Sequence, residues 1–366
     1  MARGKIRFLD ISVYDRQILS IEIERSTTRH SIGYLDYLGE GIEAFAVRFG
    51  AANQNHDNWR LFTYSLTGLV SFCRYVRHLK PDAVLFHSFR FPIRFVLLKW
   101  LLPRAKFIVQ HHAGDPSPNP FKRAIQSWCY AKSDCFNFVT RHQAEAFYRA
   151  GIIRDDAQVL ETMVGSTDFK LLDKRECRRQ LGLSQSEFTI IWVGHLNSNK
   201  DPMTLMRALG RLHEGQIDFR LIMFFGQTFF LHEAQEFARM QEFDDKVSFR
   251  GQVPNQELEI WLNAADCYVS CSHNEGSGIA LAEALACGCT PVVTRIPSFN
   301  RMTPRADLQF GVGNDAELFE RLVTVIENTD FDRNANRFNF EKRLSFPAIA
   351  SDFRKRLGDD TLETVK

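Results

Sequence analysis

At 366 residues the chain is too long for one ordinary hydrophobic core, so two domains are expected. An apolar share of 45% and a charged share of 25% fit a folded globular protein and exclude a disordered or fibrous one. A formal charge of +2, from 46 basic and 44 acidic residues, argues against nucleic acid as a partner, because that needs a concentrated basic face.

Residues 1–12 run directly into a strand-like segment, with neither the long apolar stretch nor the small-residue cleavage site of a secretion signal. The eight cysteines show no CxxC spacing, so a zinc site is not expected and buried free thiols are. Both points suit a reducing cytoplasm, with peripheral contact at the inner face of a membrane left open.

In chain order, apolar runs fall at 6–11, 44–49, 83–86, 107–110, 135–140 and 159–163, then at 188–193, 219–225, 247–249, 267–270 and 291–294. Helix-like stretches separate them. Continuous apolar strands of this length indicate parallel sheets buried on both faces, so the class is α/β, in two successive units. The boundary is expected near 165–185, a polar stretch containing the charged run 173–179.

Residues 90–104, RFPIRFVLLKWLLPR, are basic and strongly apolar. They read as a packed helix between two buried strands, with the charges at its rim. The alternative is a basic amphipathic helix lying on a membrane surface. The most apolar window here, 95–102, is interrupted by Lys99 and far too short to span a bilayer. His111 and His112 follow at the end of a strand. Neighbouring strand residues point to opposite faces, so at most one of them faces a given cleft, and a pair alone makes no metal site.

In the second half, Asp201 and Pro202 give an N-cap and a proline at the first helical position. Leu205, Leu209 and Leu212 mark one face of that helix, and Gly215 closes it. Asn314 and Glu317 have capping-box spacing ahead of Leu318, Leu322 and Val325.

Residues 267–294, CYVSCSHNEGSGIALAEALACGCTPVVT, carry the chemistry. They parse as strand, glycine turn, helix, strand. Gly276 and Gly278 allow a tight turn at the carboxyl end of the first strand. The helix from Ile279 then starts with its free N–H groups aimed at the crevice, an anion site by construction. Glu275 precedes the turn and Glu283 follows it on an otherwise apolar helix. A carboxylate there is costly unless a partner meets it, and ribose hydroxyls would be suitable donors. The alternative is a Glu at the exposed edge of a packed helix, with no ligand.

This stretch resembles the nucleotide-sugar motif of the retaining glycosyltransferases of family 4, which have the GT-B fold. The resemblance rests on Glu275, Gly276, Gly278, Glu283, Ala286-Cys287-Gly288 and Pro291-Val292-Val293. A second block, residues 191–202 with Gly194, His195 and Lys200, resembles the family's strand followed by Gly-Arg-Leu and then Lys; His195 stands where the family has Arg. Lesser matches extend the likeness over residues 160–357, including the segment 343–357, which resembles a terminal helix returning to the first domain.

The resemblance implies two Rossmann-like domains facing across a cleft. Residues 1–165, with a crossover helix at about 345–366, would bind the acceptor, and 166–344 would bind the donor. It places Glu275 beside the donor sugar, Glu283 on the ribose, and the backbone of Ser277, Gly278 and Ile279 on the distal phosphate. Lys200, with Gly194 and His195, would grip the pyrophosphate, and His112 would hydrogen-bond a donor-sugar hydroxyl. The family's glycine-rich loop after the first strand is absent; the chain has Tyr14-Asp15-Arg16-Gln17 there.

The expected activity is transfer of a hexose-type sugar, with retention, from a nucleoside-diphosphate sugar to a hydroxyl of a glycan, lipid-linked or small-molecule acceptor. No cofactor or metal is expected. Two rivals stay open: a sugar-nucleotide epimerase on the same fold, and a non-catalytic relative that binds nucleotide sugars.

Overall fold

The computed structural model describes residues 5–14, 18–112, 114–328 and 331–363. The chain forms two compact units, Met1–Ser166 with Phe346–Lys366, and Thr167–Ser345.

The first unit is built on β1 (Ile6–Ile11), β2 (Ile42–Phe49), β3 (Gln54–His56), β4 (Trp59–Phe62), β5 (Ala83–His87), β6 (Lys106–Gln110), β7 (Cys135–Phe138) and β8 (Val159–Glu161). They form one sheet in the order β3-β4-β2-β1-β5-β6-β7-β8. Every pair is parallel except the β3–β4 hairpin. Its helices are α1 (Ile21–Thr27), α2 (Arg29–Ile32), α3 (Leu66–Leu79), α4 (Pro92–Leu101), α5 (Pro120–Tyr130), α6 (Arg141–Arg149) and, at the end of the chain, α15 (Phe346–Glu363).

Right-handed crossovers put α3 to α6 on one face of this sheet. Leu9 and Ile11 of β1 point to that face and join Phe72, Val76, Phe95 and Phe107 in the main core. Phe8 and Asp10 point the other way, where Phe353 of α15 lies 5.9 Å from Phe8 and 5.0 Å from the Tyr34 ring. Helix starts follow local chemistry: Ser65 accepts from the Gly68 N–H, Asn119 caps ahead of Pro120, and Thr140 with Gln143 closes a full capping box.

The second unit holds β9 (Thr189–Gly194), β10 (Arg220–Phe225), β11 (Val247–Gly251), β12 (Cys267–Ser270), β13 (Thr290–Thr294) and β14 (Gln309–Phe310) in the order β11-β10-β9-β12-β13-β14, parallel throughout. Its helices are α7 (Lys174–Leu181), α8 (Pro202–Glu214), α9 (Leu231–Met240), α10 (Asn255–Ala264), α11 (Ile279–Ala286), α12 (Pro297–Met302), α13 (Asp315–Glu327) and α14 (Arg333–Arg343).

Strand order reverses between β9 and β12 in this sheet and between β1 and β5 in the other. Open α/β sheets bind ligands beyond the carboxyl ends of the strands at such a reversal. Each unit therefore has one favoured position for a site.

Several expectations are corrected. The charged run 173–179 is a helix of the second unit, α7, whose Arg178 is buried and ion-paired to Asp266 at 2.5 Å. The terminal helix expected within 343–357 starts at Phe346 as α15 and belongs to the first unit; only Arg343 of that segment lies in α14. Asn314 does accept from the Glu317 N–H, but the Glu317 carboxylate turns to the Gly311 N–H at 2.7 Å, so the capping box is only half made. The 90–104 run gives helix α4, yet Ile93, Leu97 and Trp100 face solvent rather than a neighbouring element. Asp15-Arg16-Gln17, where the glycine-rich loop was expected, lies outside the described residues.

Candidate functional site

In the second unit, two loops leave the reversal point side by side. One follows β9, from His195 to Asp201; the other follows β12, from Cys271 to Gly278. They are laced together through Asn199, whose carbonyl accepts from the His273 N–H at 2.8 Å. Its side chain donates to the Asn274 carbonyl at 3.0 Å and accepts from the Asn274 N–H at 3.1 Å. His273 Nε2 lies 3.1 Å from Asp201 Oδ2. Asp201 also caps α8, so the lacing and the helix start are one structure.

This lacing brings Lys200 onto Glu275. Its ammonium donates to Glu275 Oε1, and the Ser272 hydroxyl donates to the same oxygen at 2.7 Å. Ser272 is held in turn, since its carbonyl accepts from the Thr294 hydroxyl at 2.6 Å. The Lys200 stem lies against Gly194, where an added Cβ would meet Lys200 Cδ at 3.5 Å and Trp192 at 3.1 Å.

His195, expected to act with Lys200, is exposed and turned elsewhere. Its ring lies over Gly226, where an added Cβ would come within 3.1 Å of it.

Helix α11 begins at this point. Its N-cap, Gly278, has φ +61°, and no side chain caps the helix. The backbone turns in the left-handed region, and an added Cβ would sit 3.0 Å from Met302 Sδ and Phe299 Cε1. Two requirements thus select glycine. The Ser277 hydroxyl beside it is buried without a hydrogen-bond partner. The uncapped first turn leaves backbone N–H groups and the positive end of the helix dipole for an anion.

Glu283 lies one turn into α11. No hydrogen bond or ion pair meets its carboxyl among the described residues, and burial pushes it up to about 7. Of the two readings of Glu283 in the sequence, a fully exposed edge position does not hold: the residue is half-buried, and no partner meets its carboxyl among the described residues. The Tyr268 hydroxyl is raised by burial, and the Glu275 and Glu283 charges add to the rise.

In the first unit the reversal point carries a buried polar chain. Asp10 has no exposed surface. Burial alone would raise its carboxyl, but His87 and Arg48, with hydrogen bonds from His87 and Tyr34, hold it well below the usual carboxylate range. Arg48 Nη2 lies 2.6 Å from Asp10 Oδ1, and Tyr34 donates to Oδ2 at 2.8 Å. His87 Nε2 lies 2.9 Å from Oδ2, and His87 Nδ1 lies 2.8 Å from His112 Nε2.

An ionised carboxylate only accepts, so His87 donates through Nε2. With His87 in that tautomer, its Nδ1 can accept from His112 Nε2. His111 points away into Phe89, Phe138 and Phe147, and burial pushes its imidazole down. Ala113 lies outside the described residues.

Sequence reading missed Ser272, Asn199 and His273 in one unit and Asp10, Tyr34, Arg48 and His87 in the other. Asp10 carried a signal, since a carboxylate inside an apolar strand needs a buried partner. Among the described residues no cluster of three His, Cys, Asp or Glu could hold a metal ion, and no helix is long and apolar enough to cross a membrane.

Known proteins share this architecture. The chain superposes on the crystal structure of Anabaena HepE in complex with UDP with a TM-score of 0.72, at 16% identity, covering 97% of this chain and 100% of that one. The fold is therefore GT-B. The alpha-monoglucosyldiacylglycerol synthase of Streptococcus pneumoniae is 24% identical over 54% of this chain and 44% of its own length. The D-inositol 3-phosphate glycosyltransferase of Xylanimonas cellulosilytica is 31% identical over 48% and 44%. The chain thus spans under half the length of these curated relatives. Residues 173–341, nearly all of the second unit and every donor-side residue described above, match the model of the family described as glycosyl transferases group 1.

Proposed function

We propose that the chain is a glycosyltransferase that takes a hexose-type sugar from a nucleoside-diphosphate sugar and places it on a hydroxyl of a glycan, lipid-linked or small-molecule acceptor, with retention. The observation that carries this reading is the juxtaposition at the start of α11. An uncapped helix N-terminus, Glu275 and an unpartnered Glu283 lie on one short stretch of backbone, and the loop after β9 brings Lys200 onto Glu275.

Each part answers one group of such a donor. The N–H groups of Ser277, Gly278 and Ile279 take the distal phosphate. Lys200 leaves Glu275 for the phosphate oxygens and offsets the charge that grows as the sugar–phosphate bond breaks. Glu275, released from the lysine and still held by Ser272, takes sugar hydroxyls near the anomeric carbon. Glu283 accepts from the ribose hydroxyls, which suits a carboxyl that lacks any donor. His195, already at the mouth of the loop, can swing toward the pyrophosphate but lacks the two-pronged grip of arginine.

In the first unit, His112 hydrogen-bonds a sugar hydroxyl, oriented by His87 and Asp10. On this reading no metal is required, and the departing phosphate takes the acceptor's proton. The HepE complex with UDP supports a diphosphate donor on this fold, and the named activities of the two relatives support sugar transfer.

The test is thermal stabilisation by a panel of nucleoside diphosphates and their sugars, for wild type, Lys200→Ala and Glu283→Ala. One nucleotide series should stabilise the wild type, with about 2.7 kcal/mol gained at 100 times the dissociation constant. Both variants should lose the response. If no nucleotide shifts the wild type, the reading fails. Turnover of the best donor without any acceptor would favour an epimerase, and binding without turnover a non-catalytic relative.

A further inference from the structure

Helix α11 is finished in opposite ways at its two ends. At its start no side chain caps the backbone. At its far end every carbonyl of the last turn is taken. The main-chain N–H groups of Cys287, Cys289 and Gly288 donate to the carbonyls of Glu283, Ala284 and Leu285 at 3.1, 2.9 and 3.1 Å. The two carbonyls left over both accept from arginine. Arg337 donates to Ala286 at 2.9 Å, and Arg333 donates to Cys287 at 2.8 Å.

Both arginines stand on α14, with Asn336 between them donating to the Cys289 carbonyl at 3.2 Å. Gly288 lets α14 come this close. Its φ is +76°, and an added Cβ would meet Arg333 Cβ and the Arg333 carbonyl at 2.9 Å.

The two guanidiniums differ in charge balance. Arg337 Nε lies 2.7 Å from the carboxylate of Glu341. Arg333 is half-buried and meets no carboxylate among the described residues. It donates only to neutral oxygens: the Cys287 carbonyl, the Leu172 carbonyl at 3.3 Å, and the carbonyl and side-chain oxygen of Asn263 at 3.3 and 3.0 Å. Asn263 lies in the last turn of α10, so this one cation covers the carbonyl ends of two helices. Neutral amides would satisfy such carbonyls; a guanidinium that stays charged at every working pH brings an unbalanced positive charge as well.

The length of α11 gives that charge a consequence. A helix of eight residues is only about 12 Å long. An anion at its start therefore also feels the negative pole at its end. Cations seated on that pole cancel it and leave the positive pole unopposed. We propose that the charge at the end of α11, chiefly on Arg333, positions the donor from a distance: it strengthens the hold of the helix start on the diphosphate without touching it. This rests on the assignment of the helix start to a nucleoside-diphosphate sugar, and adds that affinity for the phosphates depends on a residue outside the site. Across about 15 Å, at an effective dielectric constant of about 20 to 40, one charge changes affinity by roughly two- to sevenfold for each phosphate charge.

The experiment is calorimetric titration of the full chain with UDP, GDP and ADP, each beside its own nucleoside. Arg333→Gln should weaken the diphosphate that wild type binds by at least about twofold, and leave the nucleoside unchanged. Arg333→Lys keeps the charge and loses the fork of donors. It should keep most of the wild-type affinity for the diphosphate, although both variants melt earlier. Glu341→Lys, at an exposed position, releases the Arg337 charge and adds another; it should tighten the diphosphate by about twofold or more with the fold intact.

Equal loss of diphosphate and nucleoside in Arg333→Gln would show a merely structural part and overturn the proposal. So would wild-type diphosphate affinity in Arg333→Gln, or equal weakening by glutamine and lysine. If Arg333→Gln does not fold, an unchanged diphosphate affinity in Glu341→Lys overturns it in the same way. Nucleotide binding that Lys200→Ala abolishes and Arg333→Gln leaves intact would sink this proposal alone. No nucleotide binding by the wild type would sink the donor assignment, and this with it.

Discussion

Replacing Glu283 by glutamine keeps the shape of the side chain and removes the charge that burial opposes. The carboxyl moves from its ordinary 4.5 to about 7 in the fold. A raised acid pKa means that the folded state holds the proton more tightly than the unfolded chain. Stability is thus fully present below about 4.5 and is lost as pH rises through about 7.

Integrated over that shift, the ionised group costs the wild type about 3 kcal/mol at pH 8.5 and about 1 kcal/mol at pH 5.5. Glu283→Gln should therefore be more stable than wild type, with a gain that grows by about 2 kcal/mol between these two pH values. For a unit of this size that is a relative rise in melting temperature of about 4–8 °C, read by paired scans across pH. The same variant should bind the donor nucleotide about tenfold or more weakly, because hydrogen bonds to a charged acceptor are lost. A gain equal at all pH values, or a loss of stability at pH 8.5, would show that the carboxylate has a partner in the free protein and would refute the reasoning.

Donor affinity of the wild type should rise between pH 6 and pH 8, because ribose hydroxyls donate to the ionised Glu283; a flat titration by calorimetry would contradict this. Gly278→Ala should cost about 1–3 kcal/mol in melting experiments and weaken nucleotide binding, since its φ of +61° and the 3.0 Å approach to Phe299 and Met302 admit no Cβ. Asp10→Asn should destabilise the first unit by about 1–3 kcal/mol in denaturant titrations, because the buried Arg48 would lose its close carboxylate and keep only Glu24 at 3.7 Å. In the wild type the Asp10 contribution is present at neutral pH and is lost as pH falls below the ordinary carboxylate range, so acid unfolding should begin in this unit. His87→Phe should lower kcat with little change in donor affinity; an unaltered kcat would remove His87 from any role in orienting His112.

Much of this protein was written in local pattern. Apolar runs separated by helical stretches gave the two parallel sheets, because a strand buried on both faces must be apolar throughout. Asp201 with Pro202, and the turn Gly276-Ser277-Gly278 before Ile279, were readable because caps and tight turns depend on residues next to one another. The hairpin Gln54–His56 with Trp59–Phe62 was missed: an edge strand of Gln, Asn and His has no apolar signal, and only the Asp57-Asn58 turn marked it.

Other decisions needed the fold. Lys200 and Glu275 are 75 residues apart, and Asp10 and His87 are 77 apart. Each pair meets because the strand order of its sheet reverses between the strands that carry it, and periodicity in one segment says nothing of which strand lies beside it. The outer stripe of α4 shows the same limit. A helix apolar on every side reads as buried, and only the positions of its neighbours decide that one side has none. Sequence by itself determined which segments pair their backbone groups locally and which faces avoid water; the tertiary structure alone decided which distant charges meet and which apolar face stays uncovered, because both depend on contacts between segments far apart in the chain.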